Sequence, residues 1–146
     1  MNSNINTTTL STSAPHTAAS SKETFLRRAL LADAAIEAAA GVGSFLLAST
    51  LAEWFGLNDA LPFMVLGVIL MVGAALFYFT ATAKTLNLPL IRAIMIGNDV
   101  SAAACIVLSL AAGSAFMTQG HVLLWLVAID LGALAVAEFI GLRKLR

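Results

Sequence analysis

The stretch PFMVLGVILMVGAALFYFTATA, residues 62–83, contains no charged side chain. At about 1.5 Å of rise per residue it makes a helix about 33 Å long, enough to cross a hydrocarbon core about 30 Å thick. Lipid offers no partner to backbone N–H and C=O groups, so a run of this kind is stable only as a helix. Working outward, three more runs of similar length and apolarity fall at about 29–51, 90–112 and 122–142. The sequence therefore predicts an all-α, polytopic membrane protein with four transmembrane helices. Residues 25–146 form that domain, and residues 1–24 precede it as a cytoplasmic tail.

Composition agrees. The chain has 146 residues, 60% hydrophobic and 11% charged, against about 45–50% and about 25% in soluble domains. The tail is rich in Ser, Thr and Asn, has little to bury, and is expected to be disordered. It lacks the short apolar core of a signal peptide. The first span is too long for one and carries Asp33 and Glu37, so it reads as a retained helix.

The basic residues set the expected orientation. Lys22, Arg27 and Arg28 precede the first span, Lys84 and Arg92 flank the second link, and Arg143, Lys144 and Arg146 follow the fourth span. The other two links carry only Glu53 and Asp59. Lys and Arg stay on the cytoplasmic side during insertion, which predicts both termini inside. The short links predict an antiparallel up-down bundle. Gly56 reads as a helix stop, and Asn58-Asp59 before Pro62 as the next start. Ala35, Ala39 and Gly43, and likewise Ala133, Ala137 and Gly141, make small-residue stripes. These would pair the first and fourth spans or join two copies.

Five acids fall within the spans: Asp33, Glu37, Asp99, Asp130 and Glu138. An ionised acid near a helix centre costs at least about 2.5–3.5 kcal/mol on insertion scales, so none is expected to face lipid. Depth sorts them into two groups. Asp33 and Glu138 lie near the inner interface, where Arg27, Arg28, Arg92 and Arg143 could pair with them as a girdle. Glu37, Asp99 and Asp130 lie deeper, with Asn98 beside them, as a candidate intramembrane polar site. That group is either a protonated structural network or a proton or cation path.

Other chemistry is sparse in the sequence. Cys105 lies deep in the third span and suits apolar packing. His121 is too shallow for a typical transmembrane haem ligand. Ser44, Ser101 and Ser109 have no histidine expected at matching depth, so nucleophilic catalysis is not expected. The glycines follow no strand and form no phosphate loop. No cofactor, metal set or nucleic-acid-binding helix is read, and the expected partners are the lipid bilayer and a second copy or a larger membrane complex.

Three segments carry a resemblance: Leu26-Arg27-Arg28-Ala29-Leu30-Leu31-Ala32-Asp33-Ala34, Ile94-Met95-Ile96-Gly97-Asn98, and Ala137-Glu138-Phe139-Ile140-Gly141-Leu142-Arg143. Together they resemble a group of small bacterial four-helix integral membrane proteins of unknown function, and in size and helix count the chain is similar to DoxX-like proteins. The resemblance implies a fold and a bacterial inner membrane, supplies no activity, and marks Asp33, Asn98 and Glu138 as matching polar positions. Asp99 departs from that pattern, which has an apolar residue after the Asn. The leading expectation is a non-enzymatic inner-membrane protein that acts by assembly. The alternative is a small oligomeric proton- or cation-coupled transporter using the intramembrane acids.

Overall fold

Each helix boundary has a local cause. In the computed structural model, which describes residues 16–144, the elements are α1 (His16–Leu46), α2 (Ala48–Trp54), α3 (Leu61–Thr82), α4 (Leu88–Ala112), a 3-10 turn (Gly113–Ala115) and α5 (Thr118–Lys144). α1 and α2 are nearly continuous, since Leu47 and Leu51 still donate to Gly43 and Leu47 at 2.9 Å. α2 stops at Gly56, whose φ of +65° suits glycine, with Leu57 N–H closing back on the Ala52 carbonyl at 2.8 Å. Asp59 Oδ1 accepts from Leu61 N–H at 2.9 Å to start α3. Asn87 Oδ1 accepts from Leu90 N–H at 3.2 Å to start α4.

Four helical segments are long and apolar enough to cross a membrane: Glu23–Leu46, Leu61–Thr82, Leu88–Ala115 and Thr118–Arg143. α1 begins ahead of the expected boundary. Glu23 and Arg27, one turn apart on it, form an ion pair at 2.7 Å, which supports a helical turn outside the apolar run. Residues 1–15 of the expected disordered tail lie outside the described residues.

α1 packs mainly against α3 and also against α5, while α4 packs mainly against α5. Position numbers fall along α3 as they rise along α1. Arg27 meets Ala81 and Ala83, Glu37 meets Gly73, and Gly41 meets Gly67. The closest approach is therefore at Gly41 and Gly67, where a Cβ on either would lie 2.9 or 2.7 Å from the other's carbonyl oxygen. The small-residue stripes do not make this contact. Ala35, Ala39 and Ala133 are exposed and Gly43 has open space beside it, whereas Gly141 does pack, on Leu26. The difference is one of helix face: Gly41 is two positions from Ala39 and Gly43, about 200° around the helix.

Leu26, Leu30, Ala34, Phe77, Ala81, Ile91 and Ile94 form a buried apolar cluster where α1, α3 and α4 meet. At the other end, the Phe55 ring lies tilted against Phe63 and edge-on to Phe116, with centroids 5.2 and 4.9 Å apart. Trp54 O there accepts from Met117 N–H at 2.8 Å, joining the two loops.

Gly67→Val should lower stability by about 1–3 kcal/mol, because the carbonyl of Gly41 cannot retreat without moving α1. Gly43→Ala should leave stability unchanged or raise it by up to about 1 kcal/mol. Unfolding in mild detergent measures both, and the opposite ranking would contradict this packing.

Candidate functional site

α1, α4 and α5 each place one polar side chain in the interior at a common point. Asp33 is 2% exposed, Asn98 6% and Glu138 0%. Asn98 Nδ2 donates to Asp33 Oδ2 at 2.8 Å, the one tie of this kind between α1 and α4 among the described hydrogen bonds. The Glu138 carboxyl lies within hydrogen-bonding reach of that of Asp33, and no donor among the described residues meets either of its buried oxygens. Buried polar groups in folded proteins nearly always find partners, so an orphaned carboxyl needs an explanation.

The remaining acids surround this centre. Glu37, one turn along α1 from Asp33, is half-buried, with Oε2 unpartnered and its carboxyl filling the space left by the missing side chain of Gly73. Asp130 on α5 is half-buried and close enough for its charge to act on Asp33. Asp99 stands in the same relation to Glu138 but is exposed on the surface of α4.

This arrangement corrects both expected groupings. Asn98 belongs with Asp33 and Glu138, not with Glu37, Asp99 and Asp130. Adjacent helical positions point about 100° apart, so Asn98 and Asp99 cannot share a face. Along the chain, Asp33 lies ten residues after the start of its apolar segment (33 − 23), Asn98 ten after the start of its own (98 − 88), and Glu138 five before the end of the last (143 − 138).

Nor do the arginines form a girdle around Asp33 and Glu138. Arg27 donates to the carbonyls of Ala81, Ala83 (2.7 Å) and Lys84 (3.4 Å) and pairs with Glu23. It thus caps the C-terminal end of α3, where unpaired carbonyls and the helix dipole favour a cation. Arg28 and Arg92 are exposed, and Arg143 lies over the Phe139 ring at 5.9 Å. These side chains reach outward or to backbone because the apolar cluster of Leu26, Leu30, Ile91 and Ile94 stands between the helix ends and the acids.

Ser109 and His121 form a pair that the depth argument missed. Ser109 Oγ lies 2.9 Å from His121 Nδ1, and His121 Nε2 lies 2.9 Å from the Gly113 carbonyl. The tight turn after α4, with Gly113 at a φ of +51°, brings the start of α5 back alongside Ser109. The hydroxyl can donate to Nδ1 while Nε2–H donates to the carbonyl, which satisfies three polar groups at this turn. Ser109 is only 5% exposed, so its hydroxyl is a packing group rather than an accessible nucleophile.

Among the described residues no set of three or more His, Cys, Asp or Glu side chains is placed to hold a metal ion. Comparison with family models, with curated proteins and with solved structures finds no match for this chain.

Arg27→Ala should cost about 1–2 kcal/mol, since it strips a charged donor from the last carbonyls of α3. Arg92→Ala should change stability by no more than about 0.5 kcal/mol. Thermal unfolding in detergent separates the two, and a larger loss for Arg92→Ala would restore the girdle.

Proposed function

We propose that this chain is a multi-pass protein of the bacterial inner membrane, an antiparallel four-helix bundle with both termini cytoplasmic. It is non-enzymatic and acts by assembly with itself or with a larger membrane complex. The one-sided placement of Lys and Arg supports the orientation.

Asp99 is the observation that carries the assembly reading. It lies eleven residues into α4, is exposed, and has exposed Ile96 (57%) one turn before it on the same face. An acid in that setting is poorly solvated by lipid. A protein surface laid over this part of α4 would give it a partner.

A second reading, a small oligomeric proton- or cation-coupled transporter, is favoured by a different observation, the orphaned carboxyl of Glu138. Intramembrane acids without a countercharge mark ion paths. In this reading the working acids are Asp33 and Glu138, with Glu37, Asp99 and Asp130 around them.

The protein extracted in mild detergent should have a mass well above one chain, and Asp99→Ala should reduce it. A reporter fused after Lys84 or Arg146 should read cytoplasmic, and one near Asp59 periplasmic. A single-chain species from the unmodified protein would end the assembly reading, and a periplasmic C-terminus would end the topology.

A further inference from the structure

We propose that Asp33 and Glu138 form a two-carboxyl site that binds a single exchangeable proton, with Asn98 fixing the acceptor. The inference deepens the transporter reading by naming its ligand and the acids that hold it, and it does not depend on assembly.

The geometry lacks one hydrogen. Asn98 N–H supplies one donor to Asp33 at 2.8 Å. Glu138, wholly buried, adjoins Asp33 and has no donor on either oxygen. Two ionised carboxylates side by side in a low-dielectric interior repel strongly, and among the described residues no Lys or Arg pairs with either. Arg27 is engaged by α3 and Glu23, and Arg143 lies on Phe139. A proton between the two carboxyls resolves this in one step. Glu138 becomes an O–H donor, Asp33 accepts from both Glu138 and Asn98, and the pair carries one negative charge instead of two.

The neighbourhood points to a proton rather than a metal. The described residues contain no three-ligand set, and the centre is closed toward the chain termini by Leu26, Leu30, Ile91 and Ile94, with Leu26 against Gly141. The titratable groups around the pair are Glu37 on α1, Asp99 on α4 and Asp130 on α5, all acidic. α3 presents Gly73 to Glu37 and adds no charge there. Glu37, with its own unpartnered oxygen, is the next carboxyl on the side away from the apolar seal. Loss of the proton leaves like charges on α1 and α5, so occupancy of the site controls how those two helices are held together.

Infrared difference spectroscopy of the full chain in lipid vesicles, stepped between acid and alkaline buffer, tests the proposal. The unmodified protein should show a carboxylic-acid C=O band that titrates and shifts in heavy water. Carbon-13 labelling of glutamate alone should move it, which assigns the band to one of the four glutamates, and the substitutions then say which. Glu138→Gln should remove one carboxyl equivalent of that band, Asp33→Asn should shift what remains of the Glu138 signal, and Asp99→Asn should leave it in place. No titrating acid band in the unmodified protein, or an unchanged spectrum in Glu138→Gln, would overturn the site. Proton flux across the same vesicles, read beside the spectra, reports transport separately: a titrating Glu138 band without flux keeps the site and ends the transporter reading, so the failure of either is seen on its own.

Discussion

A polar side chain buried among helices long and apolar enough to cross a membrane must find its partner within the protein, and the Asn98–Asp33 hydrogen bond is where this chain meets that constraint. It reaches from α4 to α1, two helices that also meet in the apolar cluster, and it lies beside Glu138 of α5. Apolar contact alone would leave these helices free to rotate or slide, because lipid tails are as apolar as leucine. One directional bond at a buried point fixes which face of each helix turns inward.

Packing on either side of this point is of two kinds. Toward the termini, an apolar cluster seals the acids from the helix ends, and Arg27 closes α3 by binding its last carbonyls. Toward the loops, backbone approach at Gly41 and Gly67 brings α1 and α3 together, and the Phe55–Phe63–Phe116 group with the Ser109–His121 pair finishes the far end. Charge near the termini, polar tie in the interior and aromatic closure at the loops are thus three separate layers. The unsatisfied carboxyl lies in the interior layer.

Much of this was legible in the sequence, and the limits have physical causes. The four spans could be read because lipid demands long uncharged helical runs, and Gly56, Asp59 and Asn87 end or start helices by local rules. Which side chains meet across helices is not a local property. The choice of Asn98 over Asp99 turns on a rotation of about 100° that the two adjacent polar residues leave undetermined. Ser109 and His121 meet only because the Gly113 turn folds α5 back along α4. Arg27 appeared to be a partner for nearby acids, yet backbone carbonyls at the end of α3 lay closer, and no side-chain pattern announces them.

The most direct test of the central claim is a double-mutant cycle between Asp33 and Asn98, with each replaced by Ala singly and together and unfolding followed in mild detergent. If the hydrogen bond ties α1 to α4, the two changes should be coupled by about 1 kcal/mol or more, within the range for contacting residues. Additivity to within about 0.3–0.5 kcal/mol, as for residues that do not touch, would contradict the account.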